Sequence, residues 1–254
     1  MGADGVLGPF RPEGGHPRGK TAWHEVTGGV WARLGRHTTR TGKGVARLHQ
    51  RRLVAGFGDI EALQRRLWLE ALRQGLMHAS QVVWRSDGAR GLWRLFEERF
   101  TAYAIGGLDF YPAVQPLWKS AAAWLEGRTT QARRWFGWAR HRLRHGNPDG
   151  VLADLADALE VEGLPATARE TVRTGYAYLE RHHDHIDSAA DKALGLPLGS
   201  GMVESACQWL IQQRFKGVGM RWSEDGFNHL LHLRLAWVTG RFEAWFGLAL
   251  SPNP

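Results

Sequence analysis

The sequence predicts a mixed α/β fold that carries an all-helical segment inside it. Two observations lead there. Through the first half, short strand-like runs and amphipathic patterns succeed one another in the order strand, strand, helix, strand, helix, strand, helix. After Leu125 the strand signals stop, and only helical periodicity bounded by Gly and Pro remains.

The elements follow in order. "MGADGVLGPFRPEGGHPRG" reads as a strand end and then turns, because Gly and Pro crowd it. "TAWHEVTGGVWARLG" alternates as a strand, with Trp23, Glu25 and Thr27 opposite Val26 and Val30. From Val30 to Arg52 no acidic residue occurs, while Arg33, Arg36, Arg40, Lys43, Arg47, Arg51 and Arg52 do. Such a run reads either as a solvated loop or as a phosphate-facing surface. Asp59 is placed to cap a helix whose apolar stripe includes Ile60, Leu63, Leu67 and Leu72. Val82, Val83 and Trp84 predict a buried strand, Asp87-Gly88 a sharp turn, and Leu92, Leu95 and Phe96 a helix. "YAIGGLDFYPAVQPLWKSAAAWLEG" repeats that theme with Asp109 at the strand end. Three helical segments follow, "QARRWFGWARHRLRHG", "PDGVLADLADALEVEG" and "PATARETVRTGYAYLERHHDH". A "GLPLGSG" turn then leads into the helix that starts around Glu204 and into a closing helix, "SEDGFNHLLHLRLAWVTG". The expected organisation is a core over 1–125, a helical insertion over 126–197, and closing core helices over 198–254.

Composition narrows the function classes. Hydrophobic residues at 43% and charged residues at 23% are those of a folded globular protein. Thirteen Trp are more than usual and read as core and helix-packing residues. A formal charge of +8 and a pI near 10.2 suit a nucleic-acid partner, since cations that neutralise phosphates release condensed counterions. The single cysteine, Cys207, excludes an internal disulfide and a cysteine zinc knuckle. Without an apolar run of membrane-spanning length or a signal-like start, a cytoplasmic protein with no membrane partner is expected.

Three carboxylates stand in unusual places. Asp4 in "GADGV" and Asp87 in "WRSDGAR" each precede a glycine at or near a strand edge, where α/β ligand sites form. Glu204 lies in a first helical turn, where the helix dipole favours a negative charge. Brought together, three ionised carboxylates repel, and divalent cations relieve that; all-oxygen donors suit Mg²⁺ or Mn²⁺. Two such ions serve phosphodiester chemistry. The same residues also suit ordinary turn and capping roles, so spacing alone leaves both readings open.

The stretch "GLPLGSGMVESACQWLIQQRFKGVGMRWSEDG", with "LLHLRLAWVTGRFEAWF" after it, resembles the C-terminal signature of insertion-sequence transposases of the Kra type, the ISKra group. "SDGARGLW" and "LDFY" are similar to that group's middle motifs, and "ADGVLGPF" with "WHEV" to its first strand region. The resemblance runs over nearly the whole chain. It implies an RNase H-like core with a DDE metal triad and a helical insertion before the last glutamate. Carried over, the triad is Asp4, Asp87 and Glu204, with two Mg²⁺ or Mn²⁺ ions. Asp4 would bridge both ions, and Asp87 and Glu204 would take one each. Water would cleave a strand at the element's end, and the freed 3′-hydroxyl would attack target DNA. Double-stranded DNA and a homodimer that synapses two ends are the implied partners. Val203, Cys207, Leu210 and Ile211 are expected to face the core, with Glu204, Gln208 and Gln212 on one stripe.

Two departures stand out. Pro112 occupies the place of a histidine in the family's Asp-x-x-His. Only three residues precede Asp4, and the family's N-terminal end-recognition region is missing, so a truncated chain with a poorly anchored Asp4 is expected. Arg133, Arg134 and Arg140 in "RRWFGWARHRLR", and Arg214, Lys216 and Arg221 after Glu204, are the expected DNA-phosphate contacts. Trp135 and Trp138 among them either stack on a base or pack the insertion. "RHHDHID" places His182 and His185 on one face, as a metal pair or a surface helix end. The expected function is a DDE transposase, whole or as a partial copy. The alternatives are a catalytically silent DNA-binding remnant and, in third place, a nuclease that cuts without joining.

Overall fold

The computed structural model describes all residues except 13–18, 43, 59, 187, 197–198, 200 and 251–254. The fold is α/β, built on a five-stranded mixed sheet in the order β3-β2-β1-β4-β5. The strands are β1 (Gly2–Phe10), β2 (Ala22–Thr38), β3 (Gly44–Phe57), β4 (Val83–Ser86) and β5 (Ile105–Leu108). The helices are α1 (Ile60–Arg73), α2 (Arg90–Arg99), α3 (Phe110–Trp124), α4 (Thr130–Arg144), α5 (Pro148–Leu159), α6 (Ala166–Arg181), α7 (Ser188–Ala193), α8 (Gly201–Cys207), α9 (Gln213–Phe215), α10 (Glu224–Val238) and α11 (Phe242–Leu250). Two compact units emerge: residues 1–84, 91–105 and 201–254, and residues 85–90 and 106–200.

In the first unit, β1 pairs antiparallel with β2, and β2 antiparallel with β3. Asp4 faces Gly28 across the ladder, with paired residues on both sides of it (Gly2 with Val30, Phe10 with Ala22). The expected poor anchoring of Asp4 is therefore corrected. Gly2 and Ala3 pair before it, and the strand continues six residues beyond Asp4, which lengthens the ladder on its C-terminal side.

The acid-free stretch, which read either as a solvated loop or as a phosphate-facing surface, is no loop: most of it forms the outer half of a long β2–β3 hairpin. Its pattern was illegible for a physical reason. Between Trp31 and Arg33 the register slips, with one extra residue on β3, where Gln50 takes a φ of 50°. A bulge reverses the in-out alternation from that point on, so no single period runs through the strand.

Helices cover both faces of this sheet. Leu63, Leu67 and Ala71 of α1 are buried, although Leu72, expected on the same stripe, is 42% exposed. The expected cap, Asp59, lies outside the described residues. On a core shared with β1–β3, Val203, Cys207, Leu210 and Ile211 are all buried as expected, together with Phe215, Phe227 and Leu231. Phe227 lies 4.5 Å from the Phe215 ring and 5.0 Å from the Phe10 ring. The "GMRWS" motif reaches back to β1: Trp222 N–H donates to Pro9 O at 3.1 Å, and Arg11 N–H donates to Trp222 O at 2.8 Å. A second aromatic group joins Trp84, Phe96 and Phe100, with Trp84 and Phe100 stacked at 5.7 Å.

In the second unit, α3, α4, α5 and α6 form one helical group, with Leu117, Leu143, Leu155, Val172 and Leu179 fully buried. Caps start these helices where the sequence supplies them: Asp109 for α3, Thr129 for α4 and Asn147 for α5. Pro112 sits in the first turn of α3, where its missing N–H costs nothing. The 126–197 stretch holds the three expected helices and, beyond them, a 3₁₀ turn (His183–His185) and α7. Short helices of this kind carry too few periodic residues to show in sequence.

Phe227→Ala empties the centre of the first unit's aromatic core. A loss of about 3–5 kcal/mol is expected, read as the shift in a denaturant unfolding midpoint with unchanged slope.

Candidate metal and nucleic-acid site

Asp4 is half-buried on β1, and its Oδ1 accepts the Gly5 N–H at 2.8 Å. Directly across the ladder, Gly28 receives the sulfur of Cys207: a Cβ at Gly28 would lie 2.8 Å from Sγ. The thiol also approaches Asp4 O at 3.9 Å. Burial first, and then the nearby Asp4 carboxylate, push the Cys207 thiol up to about 12. Cys207 is thus an inert packing group, and a close-packed one. On the opposite side, Gly29 admits Leu67 of α1, whose Cδ1 would be 2.8 Å from a Cβ there.

Glu204 lies exposed in the first turn of α8, three residues before Cys207. Gln208 and Gln212, expected on one stripe with Glu204, are exposed as well. A π-helical turn, Gln208–Gln212, separates α8 from α9. π-turns of this kind gather at functional sites. The expected tight "GSG" turn falls partly outside the described residues, at Ser200.

Asp87 belongs to the second unit, directly after β4. Its Oδ1 accepts the Ala89 N–H at 3.0 Å, closing an Asx turn around Gly88. Asp109 is buried, caps α3 by accepting the Tyr111 N–H at 3.0 Å, and donates its own N–H to Ser86 O at 2.9 Å. The parallel step from Ile105 N–H···Val82 O to Asp109 N–H···Ser86 O brings the ends of β4 and β5 side by side. Tyr178 of α6 is raised above the ordinary phenol value by burial first, then by Asp87 and Asp109. His182 is lowered to about 4, chiefly by burial and then by His185 and Arg181. Sequence reasoning missed Tyr178, Asp109 and His182 as neighbours of Asp87. Tyr178 lies 91 residues further along the chain (178 − 87), and no periodicity reports such a contact.

The donor chemistry of Asp4, Asp87 and Glu204 fits a hard divalent cation, since all three offer carboxylate oxygens only. Among the described residues, no group of three or more His, Cys, Asp or Glu side chains is gathered closely enough to hold a metal ion. Asp4 and Glu204 are in the first unit and Asp87 is in the second.

The expected phosphate contacts divide the same way. Arg133, Arg134 and Arg140 are exposed on α4, with the Arg140 guanidinium 5.6 Å from the Phe136 ring. Arg142 instead turns inward, donating to Gly150 O at 2.7 Å and covering the Trp138 ring at 3.3 Å. Trp135 packs: it lies edge-on to Trp124 at 5.6 Å and donates its Nε1–H to Asp154 at 3.1 Å. In the first unit Arg214, Lys216 and Arg221 are exposed; Lys216 lies 5.6 Å from the Trp23 ring, and Arg221 donates to Gly19 O at 2.6 Å. The tryptophans follow the packing expectation only in part. Trp31, Trp84 and Trp93 are buried, but Trp23, Trp138, Trp209, Trp237 and Trp245 are 44–67% exposed.

The histidine run resolves into different roles. His182 is buried, and His185 Nδ1 lies 3.3 Å from Gly106 O. His183 sits between Asp184 (3.0 Å) and Asp149 (2.8 Å); Asp187 lies outside the described residues. Among the described residues, no helix is long and apolar enough to cross a membrane.

No family model matches the sequence, and no curated protein matches it either.

Two predictions follow from this geometry. Gly28→Ala forces Cys207 and α8 away from β1, costing about 1–3 kcal/mol, measured by thermal or denaturant unfolding. His183 is raised above 6.5 because its ring N–H groups donate hydrogen bonds to the carboxylates of Asp184 and then Asp149. A raised folded value means stability that is full below 6.5 and lost as pH rises through the folded value. His183→Gln should therefore flatten the fall in melting temperature on the alkaline side of 6.5, modestly, because the pair is solvent-screened.

Proposed function

We propose that this chain is a DDE-type transposase with an RNase H-like core, acting on double-stranded DNA at insertion-sequence ends. One observation supports the reading most: the places of three carboxylates in the topology. Asp4 is on the central strand of the order β3-β2-β1-β4-β5, Asp87 directly follows the neighbouring strand β4, and Glu204 opens the first helix after an all-helical segment. An RNase H-like transposase with an insertion before its last glutamate calls for those three places. The net charge of +8 and the exposed arginines of α4 and α9 agree with a phosphate partner.

In this reading Asp4, Asp87 and Glu204 hold two Mg²⁺ or Mn²⁺ ions, which supply Lewis-acid stabilisation of the attacking and leaving oxygens. The protein's own contribution is positional. β1 fixes Asp4 in a paired ladder, and the Cys207 seat on Gly28 fixes the height of α8, and so of Glu204, above that strand. Arg133, Arg134, Arg140, Arg214, Lys216 and Arg221 bind the DNA backbone, and a homodimer joins two ends.

Calorimetry with Mn²⁺ on the wild type and on Asp4→Asn, Asp87→Asn and Glu204→Gln tests the triad. Binding lost in each variant, with metal-dependent nicking and strand-transfer products on element-end DNA, is the expected result. DNA binding that falls steeply with salt, ignores Mg²⁺ and survives Glu204→Gln would replace the transposase with a silent DNA-binding protein. Nicking without joined products would leave a nuclease.

A further inference from the structure

The turn that carries Asp87 is held from one side by a helix of the insertion. Tyr178 and His182 lie one turn apart, at the end of α6 and just beyond it, with rings 5.1 Å apart and edge-to-face. The Tyr178 phenol rests directly on Gly88: a Cβ there would come within 2.3 Å of Cε2 and 2.4 Å of the hydroxyl oxygen. The His182 ring, 2% exposed, hydrogen-bonds the Gly88 backbone. Asp87 itself is pinned through the Ala89 N–H.

The base of this contact is rigid. Val172 and Leu179 of α6 are fully buried, and Gly175 lets α6 approach α3 so closely that a Cβ would meet Ser120 Oγ at 2.3 Å. A turn leaning on a packed helix keeps its side-chain geometry better than one facing solvent.

From this we infer that Tyr178 and His182 are positioning residues for Asp87, so that the helical insertion orients the second carboxylate as well as offering basic surface. The inference rests on the reading of Asp87 as a metal ligand, and its contact geometry can be tested apart from that reading. Gly88 is required because any side chain there displaces the Tyr178 ring.

The test uses the full chain and two readouts. Hydrogen exchange at the Ala89 amide reports the turn, and Mn²⁺ calorimetry reports the carboxylate. Tyr178→Leu is expected to speed Ala89 exchange by about tenfold or more while Leu179 stays protected, and to weaken Mn²⁺ binding about 10–100-fold. Tyr178→Phe keeps the ring on Gly88 and should retain the protection. Gly88→Ala, which leaves α6 intact, should reproduce the Tyr178→Leu result even if that variant folds poorly. Unchanged Ala89 exchange in both Tyr178→Leu and Gly88→Ala overturns the inference. Faster exchange with unchanged Mn²⁺ affinity overturns the positioning role and leaves only packing. A wild type that binds no Mn²⁺ overturns the metal reading, while the exchange data still decide whether the clamp exists.

Discussion

The close approach of α8 to the β1–β2 ladder at Gly28 is the constraint on which much of the first unit depends. Gly28 and Gly29 are adjacent in β2, and successive residues of a strand point to opposite faces. One glycine therefore opens one face to Cys207, and the next opens the other face to Leu67 of α1. Helices lie close on both sides of β2 at the same height, directly beside the strand that carries Asp4. The buried thiol is well suited to the seat, since it fills a small gap and, pushed up by burial, stays neutral there.

This seat gives a physical role to motif residues that a metal triad alone leaves unexplained. In "VESAC" the valine and cysteine point into the core and the glutamate points out, as a helical period requires. In "GMRWS" Trp222 bridges to β1 through two backbone hydrogen bonds and donates its Nε1–H to Phe215 O at 2.9 Å. The chain after Glu204 thus ties itself back to the strand of Asp4. Ser223 then caps α10, which delivers Phe227 to the aromatic core.

The second unit follows a different logic. Its helices pack around fully buried leucines and around small-residue contacts such as Gly175 on Ser120. A buried ion pair of Arg85 with Asp191 and the cap of Asp109 on α3 fix the chain near the strand ends. Polar groups at this depth are tolerated only with partners, which confines Asp109 and Arg85 to narrow geometries.

The sequence by itself determined the α/β class, the helical nature of 130–181, the core face of α8 and the places of Asp87 and Glu204 at the ends of their elements. Each of these is written in local periodicity, turn dipeptides or caps, which depend on neighbours a few residues away. Tertiary structure alone decided that the basic stretch around Arg47 is a strand, because a bulge at Gln50 cancels the alternation that would have announced it. It also decided the seat of Cys207 on Gly28 and the contact of Tyr178 with Gly88. Those contacts join residues 179 and 90 positions apart (207 − 28 and 178 − 88), and their chemistry is the shape of two surfaces in contact, which no one-dimensional pattern encodes.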